Sequence, residues 1–306
     1  MTSTVHTAVV TGVASTALCP IQVCFVVDDV TTAVSECVSR FGWGPFYQFC
    51  ASVEGAEYRG WRGAKRTDVA LGMAGAVQVE LIHVHEGRDT VEAFQTKYGS
   101  GFQHLGIRCQ NREDALKALE AIGGVLDDQS EYEGVRIAFV DVPTGPGMFE
   151  LLQLAETTAP SGAAEQKRSD DRGEQERIVL DRATIVTSDM DAALRFYTSA
   201  FGWSDTKPES CTLRYASSES RVRRARGRAG KLILELVEPE QGGDDPYARH
   251  LARGRHGLVH AAGIVCGGTL PPYATLECAW LEDDESFALY DWAGGARTLQ
   301  LRDAER

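Results

Sequence analysis

Residues 20–43 read PIQVCFVVDDVTTAVSECVSRFGW, and residues 181–203 read DRATIVTSDMDAALRFYTSAFGW. Both open on an apolar, β-branched run of the kind that forms a buried strand. An aspartate able to cap a helix follows, Asp28 or Asp29 in the first stretch and Asp189 in the second. Apolar residues then recur at helical spacing: Val30, Ala33, Val34, Cys37, Val38 and Phe41, against Met190, Ala193, Leu194, Tyr197 and Phe201. Each helix ends in Phe-Gly-Trp, and Gly42 can close the first.

The pairing continues outward. VELIHVHEG at 79–87 matches LELVEPEQG at 234–242, and GFQHLGIRC at 101–109 matches GLVHAAGIV at 257–265. Self-similarity at a spacing of roughly 155–160 residues predicts an internal duplication into two domains. The expected organisation is a flexible leader over 1–19, a first domain over 20–155, a linker over 156–176 and a second domain over 177–306. The linker is polar, contains Pro and Gly, and is nearly free of large apolar residues. The first domain adds a helix over 112–122, with Ala115, Leu116, Leu119 and Ile122 on one face. Hairpin-like strands follow, with a turn at 143–147 and a last strand through Glu150. Each copy therefore reads strand, helix and three strands, an α+β pattern. In the second copy CGGTLPPYATLECAWLEDDE (266–285) puts Gly-Gly and Pro-Pro where the first has its amphipathic helix, so that helix is expected to be lost or very short.

Composition narrows the classes of function. With 43% hydrophobic and 25% charged residues, the 306-residue chain is ordinary for a soluble globular protein. A net charge of -13 argues against nucleic acid as the main partner. RVRRARGRAGK at 221–231 is a local exception that can clasp an anionic tail, although no aromatic residues are interleaved for stacking and a solvated hairpin is the plainer reading. No apolar run reaches the length of a membrane span. The leader has no basic residue before its mildly apolar stretch, and Leu18-Cys19 makes a poor cleavage site, so a cytoplasmic protein is expected. The eight cysteines include no Cys-x-x-Cys pair, which suits small buried hydrophobes in a reducing compartment.

Four residues stand out inside short apolar strand-like runs: Gln22, Glu80, His104 and Glu150. Two carboxylates offset a divalent charge, while Gln and His add neutral oxygen and nitrogen donors. Such a set suits a five- or six-coordinate ion, zinc first, then manganese, cobalt, nickel or iron. Strand alternation places Cys24 and Val26 on the face of Gln22, Ile82 and Val84 on that of Glu80, and Met148, Leu152 and Leu154 on that of Glu150. The result is a mainly apolar cavity with a few polar heads, the profile of a small-molecule site. His83 and His85 fall on the face opposite Glu80. Trp43, Phe46 and Tyr47 form an aromatic segment that can shape the pocket, and Tyr98 can cap its mouth. The corresponding positions of the second copy are Arg182, Glu235, His260 and Gln300. An arginine cannot ligate a cation. Ligands drawn from one domain give one complete site and one blocked site. A grouping across domains would join Gln22 and Glu80 to His260 and Gln300, and His104 and Glu150 to Arg182 and Glu235, giving one weakened and one blocked site.

These residues resemble the vicinal oxygen chelate superfamily, which includes glyoxalase I, methylmalonyl-CoA epimerase, extradiol dioxygenases and bleomycin-type resistance proteins. The resemblance rests on QVCFVVDDVTTAV, VELIHV, GSGFQHLGI and FELLQ; it covers most of 20–155 well and 178–303 more weakly. It implies tandem βαβββ modules forming two glyoxalase-like domains with curled, half-open mixed sheets. It also implies that Gln22, Glu80, His104 and Glu150 hold a divalent metal, like the set of eukaryotic-type glyoxalase I. Extradiol dioxygenases use two His and one Glu for iron, so Gln22 counts against that chemistry. The implied activity is that of an isomerase, epimerase or lyase acting on a small metabolite. A proton would move next to a carbonyl through a metal-stabilised enediolate, with Glu150 as the first candidate base and Glu80 the second. A drug-binding resistance protein is the alternative from another class, and a metal-dependent dioxygenase a third. By analogy the setting would be bacterial secondary metabolism, and a homodimer is left open.

Overall fold

The computed structural model describes residues 18–154, 164–166, 177–215, 219–240, 245–255, 257–266, 275–282, 285–291 and 298–303. Most of the expected leader and linker, and residues 267–274 with the Gly-Gly and Pro-Pro pairs where a helix is expected to be lost, lie outside the described residues.

The first half runs β1 (Cys19–Val26), α1 (Val30–Glu36), a wider helical turn at Cys37–Phe41, β2 (Phe46–Tyr58), β3 (Trp61–Ala74), β4 (Val77–Glu86) and α2 (Thr90–Tyr98). It continues through β5 (Gly101–Arg108), α3 (Arg112–Glu120), β6 (Val125–Tyr132), β7 (Val135–Val142) and β8 (Gly145–Gln153). A short strand, β9 (Ala164–Gln166), falls inside the expected linker and pairs with β2. The second half runs β10 (Arg177–Val186), α4 (Met190–Phe201), β11 (Glu209–Tyr215), β12 (Glu219–Ala229) and β13 (Leu232–Pro239). It ends with α5 (Pro246–Ala252), β14 (Gly257–Cys266), β15 (Thr275–Glu282), β16 (Glu285–Asp291) and β17 (Thr298–Asp303).

Local chemistry accounts for the helix boundaries. Asp29 Oδ1 accepts from the Thr32 amide at 2.6 Å, and Asp189 Oδ1 accepts from the Ala192 amide at 2.8 Å, so each satisfies an orphan donor of the first turn. Gly42 (φ 69°) and Gly202 (φ 70°) close these helices in the left-handed region, where a side chain is strained. Helices α2 and α5 were not anticipated from apolar spacing. Their signals are the caps Asp89 and Asp245, the latter followed by Pro246 at the first helical position.

The expected half-open sheets are not what forms. In the second half the strands close into an eight-stranded barrel in the order β12-β13-β10-β14-β17-β16-β15-β11. The first half follows the same order strand for strand, β3-β4-β1-β5-β8-β7-β6-β2, and β2 pairs back onto β3. Closure depends on one strand in each half that serves two neighbours. β2 follows β3 over most of its length and turns at its end onto β6, pairing Glu57 with Gln129 and Tyr58 with Asp128. β11 pairs with β12 and reaches β15 through Arg214 and Tyr215. Two residues of extra pairing remove an open edge whose backbone groups would otherwise need water or another chain.

The halves meet reciprocally. The turn at Gly75, between β3 and β4, lies against Val179 of β10, where an added Cβ would come within 2.4 Å of the valine. The turn at Gly230, between β12 and β13, lies against Cys19 of β1, where an added Cβ would come within 2.8 Å of the sulfur. Trp43 Nε1 donates to the Ile178 carbonyl at 2.9 Å. One core cluster continues across the seam, with Phe149 of β8 packed 6.0 Å from both Phe196 and Tyr197 of α4. No helix among the described residues is long and apolar enough to cross a membrane.

Candidate metal centre

Strands β4, β1 and β5 are neighbours in the first barrel, and their register puts Glu80, Cys24 and His104 in one row. The next row joins Gln22 of β1, Gly106 of β5 and Glu150 of β8. The rows meet at His104. Its Nε2 lies 3.1 Å from Glu80 Oε2 and 3.3 Å from Glu150 Oε2, with the histidine fully buried and both carboxylates nearly so. Its Nδ1 contacts Gln103 Oε1, and Gln103 Nε2 donates to the Gly147 carbonyl at 3.1 Å. Gln103 thus orients the ring and turns Nε2 toward the carboxylates, the arrangement found behind metal-binding histidines.

Ligand atoms of Cys24, Glu80 and His104 all lie within 4.8 Å of one another, and all three residues are buried. This group is able to hold a divalent metal ion. Cys24, expected to be a small buried hydrophobe, is the member that the four expected ligands do not include. Its signal was strand alternation, since it faces the same way as Gln22 two residues earlier. Gln22 is 97% buried, with its Nε2 donating to Gln78 Oε1 at 3.0 Å and its Oε1 lacking a partner among the described residues. A side chain at position 106 would put its Cβ 2.3 Å from that oxygen, so Gly106 is what lets Gln22 lie there. An unsatisfied buried carbonyl oxygen in the row beside a histidine, a thiol and two carboxylates fits a divalent cation.

Electrostatics show how the group stands without an ion. Burial works against a charged His104, yet Glu150 and Glu80 override it and raise the imidazole to about 9. Burial is also the main cause that raises Glu150, with Glu80 adding to it and His104 opposing. Cys24 is pushed well up by burial, then by Glu80 and Glu150. Metal uptake must therefore displace protons. The surroundings are apolar: Val26, Val69, Ile82, Val84 and Phe139 cluster with Cys24, and Phe139 stands edge-on 5.1 Å from His104. A polar layer lies beyond, where Lys65 Nζ is 3.0 Å from Asp89 and 3.9 Å from Asp128, a buried acid raised to about 6 chiefly by desolvation.

The aromatic residues expected at the pocket separate. Trp43 and Phe46 are buried in the main core cluster, apart from the cluster around Cys24, whereas Tyr47 pairs with Leu71 in the row of Glu80 and is exposed. Tyr98 sits at the seam between the halves, where its hydroxyl donates to the Gly254 carbonyl at 3.1 Å and its ring lies 5.0 Å from the Arg255 guanidinium. His83 contacts the Val27 carbonyl at 3.0 Å, and His85 pairs with Asp68 at 2.6 Å. Met148, expected on the face of Glu150, belongs to the main core cluster instead.

The second barrel aligns row for row but carries different chemistry. Glu235, Thr184 and His260 occupy the row of Glu80, Cys24 and His104. Arg182 takes the place of Gln22, and Gln300 pairs with Ala262 as Glu150 does with Gly106. Arg182 Nη1 donates to Glu235 Oε1 at 3.3 Å, and Arg226 Nε donates to the same oxygen at 2.6 Å. Burial would raise Glu235, but Arg182 and Arg226 override it and hold the acid at about 2. Contacts thus form within each barrel, Glu80 with His104 and Glu150 in one and Arg182 with Glu235 in the other.

Residues 21–139 match the family described as the Glyoxalase/Bleomycin resistance protein/Dioxygenase superfamily. No curated protein matches the chain significantly. Among solved structures, a triple mutant of 4-hydroxymandelate synthase from Streptomyces coelicolor superposes with a TM-score of 0.60 at 13% identity, over 94% of this chain and 92% of that one. A xylose isomerase-like TIM barrel/4-hydroxyphenylpyruvate dioxygenase fusion protein gives 0.50 at 13% identity, over 94% of this chain and 48% of that one. At such identity the likeness is one of fold.

Proposed function

We propose that the glyoxalase-like barrel is the active site of a metal-dependent isomerase, epimerase or lyase that moves a proton next to a carbonyl of a small metabolite. The observation that carries this reading is the convergence of Glu80 and Glu150 on one nitrogen of His104 inside an apolar wall. Glu80, His104 and Glu150 would hold the ion, with Cys24 and the Gln22 carbonyl oxygen as further donors. When bound, a divalent ion supplies Lewis acidity that draws electron density toward the substrate's carbonyl oxygen.

Within this reading Glu150 is the base and Glu80 the second candidate. Burial already favours the protonated form of Glu150, so its carboxylate is a stronger base than one in water. Glu150 Oε2 takes the proton as the C–H bond breaks, and the electron pair moves toward the carbonyl. Return of the proton to the same carbon or to a neighbouring one completes an epimerisation or isomerisation. Departure of a leaving group completes a lyase reaction instead. Gln103 keeps His104 aligned, and the apolar wall excludes water that would compete for the proton.

One histidine with two carboxylates departs from the two-histidine, one-carboxylate set of non-haem iron oxygenases, which favours proton transfer over oxygenation. Elemental analysis of the purified protein is expected to find about one divalent ion per chain, with any activity lost to a chelator. Glu150→Gln is expected to retain metal while slowing turnover by about 10²–10⁴-fold. Full activity in that variant would remove Glu150 from its role. A metal-free protein that binds an aromatic compound without converting it would establish sequestration, and metal-dependent oxygen uptake would establish oxygenation.

A further inference from the structure

The basic run at 221–231 forms the hairpin that its composition suggests, but only one of its faces is solvated. On β12 its arginines alternate between the two faces of the barrel wall. Arg223 turns outward to Glu238 and Asp191 at 2.8 and 3.0 Å, while Arg224 is buried and Arg226 turns inward to Glu235. By register these inward positions match Val69 and Leu71 of the first barrel, where the wall is apolar. With Arg182 on β10, they place three guanidinium groups around the single carboxylate of Glu235, and all three help to hold that acid ionised.

We propose that the second barrel binds a small oxyanion, a carboxylate or a phosphate, beside Arg182, Arg224 and Arg226. Guanidinium groups keep their charge at any accessible pH, so burying them demands compensation. Glu235 is already shared: its Oε1 takes Arg182 and Arg226, and its Oε2 takes Thr184 at 3.0 Å. Arg224 is paired with Glu209, whose side chain is 61% exposed. Arg182 is only 5% exposed, and its Nε–H has no partner among the described residues. An oxyanion at that edge would accept from Nε and add the negative charge that this interior favours, with the planar fork suited to two-oxygen recognition. The same potential repels a divalent cation, so the two barrels would take ligands of opposite sign.

The test uses the full, metal-loaded chain and compares phosphate, acetate and chloride at equal ionic strength, reading the thermal midpoint and the ³¹P line width. Phosphate or acetate is expected to raise the midpoint above that in chloride, and whichever binds tighter identifies the anion class. Arg182→Gln is expected to weaken that binding about tenfold or more. Glu235→Gln, which frees two guanidinium groups from their internal partner, is expected to strengthen it. The opposite signs keep the proposal testable should either variant fail to fold. No shift with either anion, or shifts unchanged in the folded variants, would overturn it. Neither variant touches Glu80, His104 or Glu150, and an anion held by an ion in the first barrel would shift the midpoint equally in both, so the change brought by Arg182→Gln or Glu235→Gln reads the second barrel alone, whatever the function of the first.

Discussion

The two barrels share one strand order and one register, yet their corresponding rows hold opposite charge. Glutamate and histidine recur in both, as Glu80 with His104 and Glu235 with His260. What differs is the neighbours. Gln22, Leu71 and Val69 in the first barrel stand where the second has Arg182, Arg226 and Arg224. In the first, carboxylates outnumber the one histidine and lift it to about 9. In the second, arginines surround the glutamate and hold it at about 2. The backbone therefore fixes where a ligand can sit, and side chains one strand away decide the sign of its charge.

Moving the arginine from one barrel to the other should change the first barrel most. Gln22→Arg would introduce the second barrel's cation beside Glu80 and Glu150. A unit charge 4 Å from another is worth roughly 4 kcal/mol at an effective dielectric of 20, so metal affinity should fall more than about a thousandfold. The fold should persist, because the second barrel already accommodates an arginine at that place in β10. Metal content by elemental analysis and secondary structure by circular dichroism read the two halves of this prediction. Undiminished metal in Gln22→Arg would show that position 22 does not control the site.

Acid and alkali should act on different barrels. In the metal-stripped protein His104 is raised from 6.5 to about 9, so its contribution to stability is full below about 6.5 and lost as pH rises through 9. Glu235 is lowered from 4.5 to about 2, so its contribution is full above about 4.5 and lost as pH falls through 2. His104→Gln should flatten the alkaline limb of a urea-midpoint profile and leave the acid limb intact; Glu235→Gln should do the reverse. An alkaline limb that survives in His104→Gln would rule out His104 as its source. Metal affinity should rise about tenfold per pH unit up to about 9, as one proton leaves His104 for each ion bound.

Much of this arrangement was legible in the sequence, because repeated strands, caps and Phe-Gly-Trp endings are local signals. The row of Glu80 and His104 could be read for the same reason, each being a polar residue inside an apolar strand. Ring closure could not. It depends on a few residues at the ends of β2 and β11 pairing with strands far along the chain, which no period reveals. Cys24 escaped notice because a thiol in a strand looks like a core residue until its cross-strand neighbours are known. The interior arginines escaped because the basic composition of 221–231 suggested a surface, although its alternation already placed Arg224 and Arg226 on one face. Trp43 and Phe46 suggest pocket walls because they precede and open a strand, whereas the chain turns them into the core.

The smallest expected effect concerns the two tryptophans that follow equivalent helices. Trp203 Nε1 donates to the Arg228 carbonyl at 3.0 Å within its own barrel, whereas Trp43 Nε1 crosses the seam to Ile178. Replacing either by phenylalanine removes one hydrogen bond, worth about 0.5–1.5 kcal/mol. Because the core runs from Phe149 into Phe196 and Tyr197 without a break, both substitutions should lower the midpoint of one shared unfolding transition in the metal-free protein. Denaturant unfolding followed by tryptophan fluorescence and by far-ultraviolet circular dichroism should then give coincident curves for both variants. Two separated transitions, with Trp203→Phe moving only one of them, would mean that each barrel folds on its own. The opposite charges of the two interiors would then belong to two stability units, and the seam made by Gly75 and Gly230 would be a docking contact with no share in a common core.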